Sequence, residues 1–233
     1  MIPLGDSIRS LSRPVMSHSI IVVCVAVWLA QVLSPDHLAR YAFVPGELIS
    51  PTAWREVGLA NIILRMFTSM FMHDPGGPWH LGFNMLFLWV FGDNVEDRLG
   101  HGRFVLFYLA CGVAAALAHS LLSFFSNVPI LGASGAIAGV LGAYFVLFRG
   151  ARVRALVPIF FLFTVMEIPA FVFLGLWFIF QLFSGFGTIG GTGGGVAFWA
   201  HIGGFVAGYA LARSLARPNS RFVRPRVIHM RYG

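Results

Sequence analysis

Four polar side chains stand in otherwise apolar surroundings where they could do chemistry: Ser134, His201, His80 and Asn84. Ser134 lies in Leu131-Gly132-Ala133-Ser134-Gly135-Ala136-Ile137-Ala138-Gly139, where a loop becomes an apolar helix running uncharged to Phe148 and Arg149. Small residues at Gly135, Gly139 and Ala143, four apart, suit the close approach of two membrane helices. A serine between glycines also suits a nucleophile, because glycines clear room for a substrate and leave backbone N–H groups free to face an oxyanion. Short motifs match by accident, so the rest of the chain must supply a base, more donors and a reason for them to meet.

That reason is depth. The 233 residues are 58% hydrophobic and 11% charged, with a mean hydropathy of +0.80. A soluble domain carries about a quarter charged residues, so the fold class expected is an all-α, polytopic bundle of six transmembrane helices. The expected spans are about 18–33, 79–95, 103–122, 134–148, 169–183 and 198–215. Residues 1–17 read as a short cytoplasmic segment, 18–216 as the six-span domain and 217–233 as an arginine-rich cytoplasmic tail. The polar start followed by Ile20–Leu33 also resembles a signal peptide. No clear A-x-A-like cleavage site follows, which favours a retained first span.

All 16 basic residues are arginine. Without lysine there can be no Ser–Lys dyad, Schiff base or Walker-type phosphate loop. Six spans put both termini on one side, together with Arg9, Arg13, Arg98, Arg103, Arg149, Arg152, Arg154, Arg213, Arg217, Arg221, Arg224, Arg226 and Arg231. Only Arg40, Arg55 and Arg65 fall opposite, so the arginine-rich face is cytoplasmic. The tail fits anionic lipid head groups better than nucleic acid, and no nucleic-acid partner is expected. Cys24 and Cys111 fall inside apolar runs and read as buried hydrophobes.

Counting at ~1.5 Å per helical residue puts Ser134 roughly 22 Å above the level of Arg149, His201 about 18 Å above Arg213 and Asn84 about 21 Å above Arg98. His80 is one turn higher than Asn84 on the same helical face. Polar groups at one depth in a ~30 Å core face the bundle interior. Gly204 and Gly208 continue the His201 helix at four-residue spacing and can bring it against the Ser134 helix.

The chemistry this permits is acyl transfer. His201 takes the proton of Ser134, Ser134 attacks a carbonyl, and the oxyanion is met by the Ser134 backbone N–H, His80 and Asn84. No acid reaches this level, since Asp93, Glu96, Asp97 and Glu167 sit near the cytoplasmic edge; Asp74, in the outer loop, is a weak candidate to orient the histidine. His119, at similar depth, is the rival base, and Asn84 could serve as interhelical glue. His73 and His80 lack an H-E-x-x-H context and a nearby acid, so neither a metal nor a cofactor is expected. The chain punctuates at Asp74-Pro75-Gly76-Gly77-Pro78, after a long outer connection, and again at the glycine-rich stretch Ser184–Gly195. From Ala155 to Phe183 the apolar run is too long for one span. Glu167-Ile168-Pro169 divides it into an interfacial piece and a fifth span.

His80-x-x-x-Asn84, Gly132-Ala133-Ser134-Gly135 and Ala200-His201-x-x-Gly204-x-x-x-Gly208 resemble the rhomboid intramembrane serine proteases in order and separation, over roughly residues 60 to 215. Arg65, Glu96 and Arg98 look like that family's structural positions. The resemblance implies a six-helix core with Ser134 as nucleophile, His201 as base and oxyanion contacts from His80 and Asn84, in a water-filled cavity open to the outside. It implies cleavage of single-span membrane proteins near the outer boundary, in the cell membrane. The glycine-rich stretch resembles the family's mobile cap over the site. Some members stack an aromatic residue on the histidine one turn after the serine; here that position is Ala138. Two other readings remain at this point: an inactive rhomboid-like protein that binds membrane clients, and a transporter or channel with a broken helix at Ser134. Oligomeric state is not readable from the sequence.

Overall fold

The computed structural model describes residues 1–122, 127–159, 162–187 and 197–217. Among these, six helices of 14 to 22 residues form the body: α1 (Val15–Leu33), α2 (Pro78–Leu99), α3 (His101–Leu122), α4 (Ser134–Leu147), α5 (Ala170–Gly187) and α6 (Phe198–Leu215). Of these, α1, α3 and α5 are long and apolar enough to cross a membrane. Their outward residues include Val22, Leu106, Phe180 and Phe183, all more than 60% exposed, a surface made for lipid rather than water.

The centre of the body is α4. Every residue from Ala136 to Tyr144 is buried, as expected of a helix that is apolar all round. Small residues decide what can approach it. A Cβ added at Gly204 of α6 would collide with the carbonyl oxygen of Gly135, and one at Gly208 with that of Gly139. On a neighbouring face, a Cβ at Gly139 would strike Cys111 of α3 and one at Gly135 would strike Ala115. Helix α4 is thus held backbone to backbone by α6 and tightly by α3. At this range dispersion and Cα–H···O contacts replace the hydrophobic drive that lipid removes.

The expectation of an all-α chain does not hold, because three strands form an antiparallel sheet: β1 (Ile2–Asp6), β2 (Arg152–Ile159) and β3 (Leu162–Pro169), in the order β1-β2-β3. Ile2 lies opposite Leu156, and Arg152 opposite Pro169. The apolar piece expected at the interface is therefore a hairpin, and part of the segment before the first span is its third strand. The signal was in the residues. Arg152-Val153-Arg154-Ala155 alternates, and Val153 and Ala155 are both fully buried while the arginines face out. Overall hydropathy hides such an alternation. Glu167-Ile168-Pro169 does end the apolar piece, and α5 starts at Ala170.

Acidic side chains at the same end of the body fix the start of the chain. Glu96, itself fully buried, accepts the backbone N–H groups of Met16 (2.9 Å) and Ser17 (2.7 Å) and the Ser17 hydroxyl (2.7 Å), so α2 caps α1. Asp97 accepts the N–H groups of Leu11 and Ser12. Arg98 lies beside them and its carbonyl accepts the Arg217 N–H at 3.1 Å. Asp6 Oδ2 accepts the Tyr144 hydroxyl (2.6 Å) and the Asn94 amide (2.9 Å), joining β1 to α4 and α2.

At the opposite end, the connection from 34 to 77 folds into short helical pieces that include Leu59–Thr68. A small core of Phe43, Ile62, Met66 and Ala116 fixes it to α3, and Arg65 pairs with Glu47 at 2.8 Å. This connection also holds the loop that enters α4. Ile130 N–H donates to the Phe43 carbonyl (2.8 Å) and Gly132 N–H to the Ser69 carbonyl (2.9 Å). Arg221, Arg224, Arg226 and Arg231, and most of the glycine-rich stretch, lie outside the described residues.

Two outcomes follow from this packing. Replacing Gly208 by alanine forces α6 away from α4, and thermal unfolding in detergent should show a loss of about 1–3 kcal/mol, the usual cost of overpacking. Burial pushes the Asp6 carboxyl up from 3.8 to about 7; repulsion from Asp93 adds to this, while hydrogen bonds from Tyr144, Ile8 N–H and Asn94 oppose it. A carboxyl raised in the folded state binds its proton more tightly there than in the unfolded chain. Its contribution is full at acid pH and is lost as pH rises from about 4 to about 7. The unfolding temperature of Asp6→Asn should fall less steeply over that window than that of the unmodified chain.

Candidate active site

Helix α4 begins at Ser134, after Gly132, whose φ of +130° is one that glycine alone adopts without strain. The Ala133 cap offers no side chain to the first turn. The N–H groups of Ser134, Gly135 and Ala136 therefore carry the partial positive charge of an uncapped helix start. The first intrahelical bond to this end is Ile137 N–H to the Ala133 carbonyl (2.9 Å).

The serine hydroxyl does not cap its own helix. Ser134 Oγ lies 2.8 Å from His201 Nε2. His201 is on α6, 8% exposed, and the glycine contact one turn below sets its distance from α4. Ser134 and His201, 67 residues apart, are brought together inside the body. His119 on α3 is buried, and its Nδ1 has no hydrogen-bond partner among the described residues. Of the two histidines weighed as base, His201 is the one on the serine oxygen.

The ring of His201 is held from α5. Its Nδ1 lies 2.8 Å from Gln181 Oε1, and Gln181 is only 5% exposed. Trp177, one turn earlier, packs against the imidazole with centroids 5.9 Å apart and planes 34° apart. Sequence reasoning missed both residues. The signal was a lone glutamine in the apolar run Ala170–Phe183, one turn from a tryptophan, since polar groups in such runs rarely lack a purpose. Asp74 does not orient His201; its Oδ1 accepts the Gly76 N–H.

His80 comes to the site from α2. A Cβ on Gly132 would lie 2.9 Å from its Cε1, 3.0 Å from its Nε2 and 3.8 Å from Ser134 Oγ. Glycine at 132 is thus the space that lets the imidazole edge face the serine. His80 Nδ1 accepts the Asp74 backbone N–H at 3.4 Å. In the neutral ring the proton then sits on Nε2, the nitrogen turned toward Gly132, which makes it a donor. The Asn84 amide donates to the His80 carbonyl (2.9 Å), leaving its second N–H. Beside His80 is His73, whose N–H donates to Gln31 Oε1 and whose ring is fully buried. Burial, and then His80, lower its pKa to about 4, so it is neutral at physiological pH.

Next to Ser134 a cavity of about 40 Å³ is lined by Ser69, Met70, Gly132, Gly135, Ala200 and others. It has room for a water or two and polar partners for them. A hydroxyl on an imidazole, beside a helix start and a cavity with room for water, can perform acyl transfer.

A domain described as rhomboid matches residues 60–218 of this sequence, more than half of its length. The chain belongs to the rhomboid family. Rhomboid protease GluP of Bacillus subtilis is 36% identical over 157 residues, covering 67% of this chain and 27% of that protein. Rhomboid protein 1, mitochondrial, of Saccharomyces cerevisiae is 42% identical over 79 residues, covering 32% of this chain and 23% of that protein. Rhomboid protease GlpG of Salmonella choleraesuis is 27% identical over 212 residues, covering 90% of this chain and 66% of that protein. The chain thus spans about a quarter of the first two and about two thirds of the third. The matched rhomboid segment contains Ser134, His201, His80, Asn84 and Gln181, while β1 and α1 precede it. Family membership and the apolar helices together make this an integral membrane protein.

The geometry generates a direct test. A fluorophosphonate should label Ser134 covalently, with the rate falling roughly 10²-fold or more in His201→Ala, as for loss of a general base. Labelling should vanish in Ser134→Ala and persist in His119→Ala, read by intact-protein mass spectrometry.

Proposed function

We propose that this chain is an intramembrane serine endopeptidase of the cell membrane that cleaves single-span membrane proteins near the outer membrane boundary. The observation that carries the reading is the 2.8 Å contact between Ser134 Oγ and His201 Nε2 in the interior of a helix bundle. On this reading, six spans with both termini in the cytoplasm would put the contact toward the outer face, and the excess of arginine at the opposite end supports it.

The mechanism follows from the groups present. His201 Nε2 receives the Ser134 proton as Oγ attacks the substrate carbonyl carbon. The oxygen that gains charge is met by the first-turn N–H groups of α4, by His80 Nε2–H and by the second N–H of Asn84. The proton then passes from His201 to the departing amine as the C–N bond breaks. A water enters and repeats the cycle on the acyl-serine ester. Access requires that the substrate unwind, since a helix keeps its carbonyls in its own hydrogen bonds. The arginine-rich tail would rest on anionic lipid. An intact serine–histidine pair gives a client-binding protein no purpose for its hydroxyl, and a transporter reading has no inverted repeat behind it.

The test is purified protein in liposomes with a panel of tagged single-span substrates. Fragments should appear with the unmodified chain and be absent with Ser134→Ala, and mass spectrometry should map the cut within a few residues of the outer boundary. Substrates captured intact at equal levels by both forms would replace this reading with client binding.

A further inference from the structure

Gln181 stands apart from the groups that touch a substrate, and its contact is with the base itself. It is a buried amide on α5 whose oxygen lies 2.8 Å from His201 Nδ1. An amide oxygen only accepts, so the Nδ1 opposite must carry the proton. In a neutral imidazole that leaves the lone pair on Nε2, the nitrogen 2.8 Å from Ser134 Oγ. The reverse tautomer would place N–H against the hydroxyl and leave no base. We propose that Gln181 is the positioning residue of this site, a neutral amide that fixes the tautomer and ring direction of His201.

This rests on the proposed serine–histidine reading and deepens it. When Nε2 takes the serine proton, the Nδ1–H···Oε1 bond stays in place and the amide dipole steadies the imidazolium without itself ionising. On breakdown the same proton leaves Nε2 for the amine, and the ring returns to its starting tautomer. Trp177, one turn before Gln181 on the same helix, confines the ring face, so α5 supplies both restraints. The polar and titratable groups around His201 are Ser134 on α4, His80 on α2, His119 on α3 and Gln181 on α5. No carboxylate of the described residues is among them, so the partner of the imidazole is an amide and not an acid.

The experiment compares the unmodified chain with Gln181→Leu, Gln181→Asn and Gln181→Glu, reading fluorophosphonate labelling rate against pH, kcat and KM on a cleaved substrate, and thermal unfolding. The leucine variant should lose roughly 10- to 100-fold in labelling rate and kcat, the scale of one buried hydrogen bond to a group that becomes charged, with KM little changed. The near-isosteric glutamate variant should recover much of the rate. Its carboxylate favours imidazolium, so the acid limb of the profile should move at least one pH unit higher. Equal rates and profiles in the leucine variant and the unmodified chain would overturn the proposal. So would a glutamate variant whose acid limb does not move. If the leucine variant does not fold, the asparagine and glutamate variants decide by the same two readouts. Failure of the unmodified chain to label at Ser134 would instead remove the dyad reading on which this one stands.

Discussion

At Gly204 and Gly208, α6 runs so close to α4 that two carbonyl oxygens fill the space a methyl group would need. Lipid offers no hydrophobic reward for pressing helices together, so proximity must come from shape. The two glycines supply it, and they sit one and two turns from His201 on its own helix. The separation of hydroxyl and imidazole is therefore set by backbone atoms, which move least. Helix α3 does the same from another side, with Cys111 and Ala115 against Gly139 and Gly135. A flexible side chain at any of these positions would make the serine–histidine distance depend on a rotamer.

Among the described residues, no carboxylate lies around that rigid contact. Ser134, His201, His80 and Gln181 lie near one another at the start of α4, while Asp6, Glu96 and Asp97 are gathered at the other end of the body. A carboxylate at this depth would need its own partner or would stay protonated. Amides avoid that cost, because they direct protons without carrying charge. The acids serve where partly freed backbone groups and water are available, capping α1 and fastening β1.

Much of this was legible in the residues. Ser134, His201, His80 and Asn84 stand out because each is polar in an apolar run, and counting from the arginines groups them at one level along their helices. The glycines stand out because four-residue spacing has one helical meaning. The starts of α4 and α5 announce themselves through Gly132 and Pro169. The sheet did not stand out, because Ala155–Ile168 is apolar on average and burial alternates only over Arg152–Ala155. Its partner Ile2–Asp6 is far away in sequence, and no local pattern records a pairing of that range. Gln181 was visible but unassigned. Which polar residue meets His201 depends on the rotation of α5, which packing sets and sequence spacing does not.

The sheet also ties the order of synthesis to the order of assembly. Ile2 pairs with Leu156, so a strand that leaves the ribosome before α1 must wait until four of the long helices have followed it. Only then can Asp6 reach Tyr144. The last of these four carries the serine, and its lower end is the one that β1 fastens through Tyr144. The clasp cannot close before α4 exists, which leaves the early chain open while the core helices find one another.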